Sequence, residues 1–430
     1  MSKSTFPQPF FARLGFLKHP QAPWMLGAAL TTLALVQALH RAQQGRCALL
    51  KWSEHFDTFY AGGELYGVGA EGYPTLPFSL LLMAPFDLAG VLLGPVLWAV
   101  FKVGLAWWIV TRAFRLVAQG GVPLAPIAAL AVIAISFRPL LSDITHGNLN
   151  ILVGATVASA AWSWHRGREL SSGFWLGLGT VLKVTPALGL VWYLRKSSLR
   201  GLGGMGLGVL VALLLPALVV GWTRNFEYMG DWWQQMVTPY LGAERLDLLQ
   251  TEHINQSLFG VLARYLTDSV AIPAGTLGLT ESVSINLASL SLERFHLVHR
   301  AGCLVLLGFL LWCSNAERKG SPGRRVLGEF CLLGLAMLFL SERSWKHHYV
   351  LLVFPMAFLV SYWRDGLDQV ARRLAGGALL VATLLIACTG SGFLGKYGSK
   401  LAEAHGAFLL GGLALFFATG FLLRRAETSD

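Results

Sequence analysis

An all-α, polytopic transmembrane helical bundle is the fold class this sequence predicts, and three observations predict it. Apolar residues fill 54% of the 430 positions. Charged residues fill 13%, about half of the roughly one quarter seen in soluble domains, and the mean hydropathy is +0.56. Basic clusters such as RKSSLR, ERKGSPGRR and LLRRAE fall between apolar runs, where cytoplasmic anchors of membrane helices belong.

The elements follow from the apolar runs, about 20 residues sufficing for one crossing. Runs begin near Trp24, Pro95, Pro123, Asn148, Leu202, His296, Val326, Tyr349, Leu374 and His405, about ten crossings by this criterion. The opening stretch, MSKSTFPQPFFARLGFLKHP, lacks an apolar region ending in a small-residue cleavage site; it reads as a retained cytoplasmic tail with an interfacial helix. Two further runs, 76–92 and 172–195, need the positive-inside rule. With Lys3, Arg13 and Lys18 inside, a full crossing at 76–92 would expel Arg112 and Arg115, so this run reads as an interfacial or re-entrant helix. The run 172–195 has HRGRE before it, RKSSLR after it, and Lys183 and Pro186 in its middle. That suits two half-helices dipping in and returning; a single span with basic residues at both ends is the alternative.

Every strongly basic loop then falls on the cytoplasmic side with both termini, and the outer segments are 42–75, 137–148, 223–295, 341–348 and 391–404. The chain reads as one domain, 1–430, in a plasma or inner membrane. Its first extracytoplasmic loop, 42–94, carries interfacial helices, and a large one covers 223–295. Within the latter, HINQSLFGVLARYL alternates apolar and polar residues at helical spacing and reads as interfacial.

The net charge of +11 does not indicate nucleic-acid binding, because the basic residues sit at helix ends and little soluble chain remains. The five cysteines, Cys47, Cys303, Cys313, Cys331 and Cys388, form no C-x-x-C pair, so neither a disulfide framework nor metal-ligand spacing is present. Phosphate-loop, dinucleotide, zinc-protease and serine-hydrolase motifs are also absent from the sequence.

The polar residues that remain gather on the outer face. Asp57 lies in HFDTFYAGGELYGVGAEGYPTLPF with Glu54, Glu64 and Glu71. A carboxylate partly desolvated by aromatics could accept a hydroxyl proton; a solvated loop acid is the alternative. SERSWKHHYVLL packs Glu342, Arg343, Lys346, His347 and His348 at the mouth of a span, a pattern that could cradle a phosphate or supply a neutral histidine base; an anchoring charge cluster is the alternative. FRPLLSDITHGNLNILV punctuates a turn with Arg138, Asp143, His146, Asn148 and Asn150. Lys183 is costly at half-helix depth unless paired with an acid or an anionic ligand, or unless its stem snorkels to the edge.

FDTFYAGGELYG, with Tyr73 and Pro74 following, resembles the first outer loop of glycosyltransferase family 87 in the GT-C superfamily. HGNLNILV, GFWLGLGTVLKVTPALGLVWYLRK, NQSLFGVLARY and SERSWKHHYVLL resemble further elements of that family in the same order. The resemblance implies a GT-C-like bundle and an inverting transferase that moves a hexose, mannose in the family's best-known members, from a polyprenyl-phosphate sugar. The acceptor is a lipid or glycan, transfer is extracytoplasmic, and no cofactor or metal is needed. It places Asp57 as base, or as the group orienting the acceptor if a histidine is the base. His347 and His348 fall near the donor phosphate with Arg343, Lys346 and Lys183. Tyr60, Tyr66, His146, Asn150, Asn255 and Gln256 fall among the substrate contacts. His146 and Thr75 depart from the family's usual glutamine and second proline. A transporter or flippase of an amphipathic substrate is the rival reading, and an assembly subunit a third.

Overall fold

The computed structural model describes residues 19–67, 73–118, 123–238, 250–314, 322–365 and 368–427. Lys3, Arg13, Lys18, Glu71 and the interfacial helix expected in the first 18 residues lie outside these. Among the described residues the only extended pairing is an isolated bridge between Ile272 and Val283; the rest is helix, turn and irregular chain.

Helix α1, Ala22–Gln43, opens with a proline in its first turn and closes on His40 and Arg41, the polarity a helix dipole favours. Three short helices follow: α2 (Ala48–Lys51), α3 (Ser53–Ala61) and α4 (Phe78–Asp87). The ten residues of α4 span only about 15 Å, so the run 76–92 does not cross. Helices α5 (Gly90–Val117) and α6 (Pro126–His146) do have the length. Gly147 ends α6 at φ +75°, where its N–H reaches the Asp143 carbonyl at 3.0 Å. Only that left-handed residue lets α7 (Asn150–His165) start so soon after.

The run 172–195 is a re-entrant hairpin. Its first arm, α8, covers Glu169–Leu182; the helix stops at Lys183, whose φ −160° and ψ 127° are extended, and Pro186 lies just beyond in a one-turn 3-10 segment. The second arm, α9 (Gly189–Arg195), turns back rather than continuing. Tyr193 Oη lies 2.7 Å from Ser172 Oγ, and Ser198 Oγ donates to Glu169 Oε2 at 2.6 Å. Both arms therefore have their bases at the same end. Helix α10 (Leu199–Leu214), capped by Ser198 Oγ on Gly201 N–H at 3.0 Å, packs along α8 through bare backbone. A Cβ on Gly173 or Gly177 would overlap the carbonyl oxygens of Gly201 and Met205. Small residues at this spacing let membrane helices approach closely.

The remaining helices are α11 (Ala217–Val220), α12 (Trp222–Met236), α13 (Leu258–Leu266), α14 (Leu292–Cys313), α15 (Gly323–Phe339), α16 (Val353–Asp365), α17 (Gln369–Ala382), α18 (Ser391–Ala404) and α19 (Ala407–Glu427). Seven segments of described residues are long and apolar enough to span: Ala22–Ala61, Gly90–Val117, Pro126–His146, Leu199–Val220, Leu292–Cys313, Gln369–Ala387 and Ala407–Ala426. The other three expected spans are the shorter helices α7, α15 and α16, of 16, 17 and 13 residues. These three are buried along most of their length. Protein rather than lipid surrounds them, so their own apolar length need not match the bilayer.

The basic clusters converge on one end of the bundle. Gly323 lies against the Leu116 carbonyl, Lys196 pairs with Glu329 at 2.7 Å, and Arg425 with Asp368 at 2.8 Å. The large loop departs from expectation at α13, which is not interfacial: Leu258, Phe259, Val261, Ala263 and Arg264 are all buried. Arg264 accounts for this. Its guanidinium donates to the carbonyls of Ala404 (2.7 Å), Glu252 (2.9 Å) and Asn255 (2.9 Å), which replaces hydration with main-chain acceptors.

The glycine seam yields a prediction. Gly177→Val drives a side chain into the α10 backbone and should cost about 1–3 kcal/mol or more, lowering the Tm in detergent. Gly203→Ala on α10, where nothing lies within 4 Å, should leave the Tm unchanged or raise it slightly.

Candidate active site

At the end of the bundle away from the basic clusters, a chain of buried polar groups runs from α5 to the tip of the hairpin. Lys102 Nζ sits 2.9 Å from Asp143 Oδ2, with both side chains fully buried, and also donates to the Asp143 carbonyl. The Asp143 carboxylate accepts Asn150 Nδ2 at 2.9 Å and the Ile151 N–H at 3.2 Å. It thus satisfies the first turn of α7 from the preceding helix. Asn150 Oδ1 then accepts Lys183 Nζ at 3.0 Å. Lys102 and Asp143 cancel, and among the described residues no carboxylate pairs with Lys183. The extended Lys183 backbone and Pro186, which end α8 there, place that cation at the tip.

Lys346–Leu352 is a 3-10 turn leading into α16, and its adjacent histidines diverge. His347 faces α6: its ring stacks on His146 with centroids 5.4 Å apart, and Asn148 Nδ2 donates to its Nε2 at 3.0 Å. His348 faces the other way, into a pocket it lines with Asn150, Lys183, Thr185 and apolar Val153 and Met337. That pocket, ≈ 20 Å³, has room for about one water. The Trp345 N–H donates to His348 Nδ1 at 3.2 Å, so the neutral ring carries its proton on Nε2. Burial holds both imidazoles well below their ordinary value; the His146 ring adds to this at His347 and the Lys183 charge at His348. Both are neutral at pH 7.

The other expected residues are placed as follows. Arg343 is half-buried, and its guanidinium has no partner among the described residues. Lys346 Nζ lies 3.5 Å from Glu403 Oε1, a carboxylate shared with Arg138 at 3.2 Å. The Asn255 and Gln256 side chains, both buried, are engaged by main chain. Asn255 Nδ2 donates to the Glu342 carbonyl at 2.8 Å while its Oδ1 accepts the Ser344 N–H at 3.0 Å. Gln256 Nε2 donates to the carbonyls of His253 (2.7 Å) and Glu403 (2.6 Å), and its Oε1 accepts the Phe408 N–H at 3.1 Å. These two amides brace the loop that carries the histidines.

Asp57 lies on the exposed side of α3 with no hydrogen bond or ion pair among the described residues. Burial, and then the nearby Asp57 charge, raise the pKa of Asp87 at the end of α4. Asp57 does not line the His348 pocket. Its segment is nevertheless tied to the site, because Gly147 packs against Cys47 and Ala48 at the start of α2. Tyr66 is buried with its hydroxyl donated to the Thr75 carbonyl at 2.9 Å, and Tyr60 is exposed beside Phe59. Lys102 escaped the sequence reading although a signal was there: a lone lysine inside an apolar helix calls for a named partner.

The fold and the site define a membrane-embedded helical protein with an unpaired cation, neutral histidines and amides at one end. A profile of glycosyltransferase family 87 matches residues 73–341, and the chain belongs to that family. The match stops short of Asp57 on one side and of Arg343, Lys346, His347 and His348 on the other. A polyprenol-phosphate-mannose-dependent alpha-(1-2)-phosphatidylinositol mannoside mannosyltransferase of Mycolicibacterium smegmatis is 28% identical over 269 residues, covering 60% of this chain and 52% of its own. The chain therefore spans about half the length of that relative. A polyprenol-phosphate-mannose-dependent alpha-(1-2)-phosphatidylinositol pentamannoside mannosyltransferase of Mycobacterium tuberculosis is 26% identical over 338 residues, 75% of this chain and 68% of its own. Among solved structures, ArnT from Cupriavidus metallidurans bound to undecaprenyl phosphate aligns over 94% of this chain and 78% of its own with a TM-score of 0.42 and 13% identity.

The buried pair makes a prediction of its own. Lys102→Met leaves the Asp143 carboxylate without its cation, and removing one partner of a buried pair costs about 3–5 kcal/mol. Thermal unfolding of the purified variant should show a large fall in Tm, and an unchanged Tm would mean the pair is not formed.

Proposed function

We propose that this protein transfers a hexose, with mannose the first candidate, from a polyprenyl-phosphate sugar to a lipid or glycan acceptor. Transfer takes place on the extracytoplasmic face of the plasma or inner membrane and inverts the anomeric carbon. The observation that carries this reading is membership of family 87 across residues 73–341, joined to relatives whose names specify a polyprenol-phosphate-mannose donor. The site's chemistry supports it. Among the described residues no carboxylate pairs with Lys183 and the Arg343 guanidinium has no partner, and a departing phosphate needs such groups. Sidedness follows from the positive-inside rule, since the site lies at the end of the bundle away from the basic clusters.

In this reaction the acceptor hydroxyl oxygen attacks the anomeric carbon as the bond from that carbon to the phosphate oxygen breaks. The hydroxyl proton passes to Asp57, and polyprenyl phosphate leaves as the anion. Neutral His347 and His348 offer hydrogen bonds rather than charge, so the compensating positive charge comes from Lys183, Arg343 and Lys346. Asp57 reaches the sugar from the outer helices, its exposure leaving it open to an acceptor entering from the water side. A single phosphate needs no metal, and transfer should persist in EDTA.

The test is transfer by protein in nanodiscs, supplied with polyprenyl-phosphate-mannose and phosphatidylinositol mannosides or other glycolipids. Asp57→Asn should lower the rate by about 10²–10⁴-fold, the usual contribution of a positioned base, with the Tm unchanged. Undiminished transfer would pass the base's role to a histidine. Lys183→Met should raise the KM for the donor more than that for the acceptor.

A further inference from the structure

We propose that the apolar groove between α1, α5 and α6 holds the isoprenoid chain of the donor, and that Arg41 at its mouth binds the donor phosphate. This rests on the donor class proposed above. The groove is lined by Leu30, Ala34, Val103, Leu140, Ile144 and Val353, among others, and its volume is ≈ 50 Å³, several times the roughly 10–15 Å³ that one water needs. Two hydroxyls line it, and the one on Thr31 already accepts a hydrogen bond from Trp107 Nε1 at 3.2 Å. From Ile133 to Ile144 its α6 wall runs about 16 Å along the helix, deep enough to take a chain rather than a headgroup.

Both ends of the argument meet at the site. On α6 the groove reaches Ile144, two residues before His146, and Val353 directly follows the turn that carries His347 and His348. On α1 the lining ends at Ala34; Ala38 and Arg41 follow on the same face at helical spacing, toward the end where Ile144 leads to His146. Arg41 Nε is buried with no hydrogen-bond partner, and no carboxylate pairs with Arg41 among the described residues. Its charge instead lies within reach of Arg46 and of the His146 ring. Two guanidiniums together without an acid form a place for an anion. An apolar groove ending in that place fits an amphiphile whose head is a phosphate. Arg41, beside His146 and His347, then adds to the positive charge assigned above to Lys183, Arg343 and Lys346.

The experiment reads binding rather than turnover. Full-length protein in nanodiscs is labelled with a photoreactive polyprenyl phosphate, and the cross-linked peptides are mapped by mass spectrometry. Labelling is expected on α1 and α6, displaced by unlabelled polyprenyl phosphate and not by phosphatidylglycerol. Ala34→Trp, which fills the groove, should abolish it. Arg41→Gln, at the half-exposed mouth, leaves packing intact and should raise the polyprenyl phosphate needed for half-displacement about tenfold, the loss of one charge-assisted contact, without changing displacement by the uncharged polyprenol. Equal displacement by phosphatidylglycerol, labelling elsewhere, or an Arg41→Gln variant that competes like the wild type would overturn the proposal. Labelled protein that transfers no sugar would instead overturn the function proposed above and leave the groove assignment standing.

Discussion

A lysine carried deep into an apolar bundle on the tip of a broken helix has to find acceptors, and much of the site is organised around that requirement. Lys183 finds Asn150, Asn150 needs Asp143 to hold its amide, and Asp143 is tolerable only because Lys102 neutralises it. Each group is buried because the next one satisfies it. The same carboxylate closes the first turn of α7, so one ionised group fixes the α6–α7 corner, the register of Asn150 and the reach of the hairpin tip.

The adjacent histidines show how a short 3-10 turn distributes chemistry. In a turn of three residues, neighbouring side chains point about 120° apart, and here they serve different walls. His347 stacks on α6 beside the groove, whereas His348 looks toward Lys183. The turn does not hold itself in place. Asn255 and Gln256 clamp the segment before it, the Tyr349 hydroxyl donates to the Gln256 carbonyl at 2.9 Å, and Arg264 ties that part of the chain to the end of α18. The long segment before α14 is therefore part of the wall that orients the site.

Much of this was legible in the chain. Hydropathy and the distribution of basic residues found the ten helical runs, the short α4 and the return at Lys183, because each rests on a local rule: length against bilayer thickness, charge at helix ends, proline at a break. Asn150, Lys183 and the diverging histidines were picked out by type and motif order, and the structure brings them to one end. Legibility failed where partners are distant in sequence. Lys102 and Asp143 are 41 positions apart, so although a lone lysine in an apolar helix calls for a partner, nothing local names it. Asn255 and Gln256 were placed among the substrate contacts by the resemblance of their segment to a family element; the main-chain partners that brace them include groups 87 to 152 positions away, which no local rule reveals. The helix of NQSLFGVLARY read as interfacial because periodicity cannot reveal that its arginine points inward.

The hairpin has a mechanical side. Its tip carries the cation that faces His348, but its root is gripped at the opposite end of the bundle, where Glu329 on α15 holds both Lys196 at 2.7 Å and the Trp192 indole at 3.1 Å. With side chains omitted along the α8–α10 seam, the arm is a stiff rod of 14 residues bearing on bare backbone. Glu329, among the basic clusters at one end of the bundle, and Lys183 at the hairpin tip are thus joined through a single broken helix.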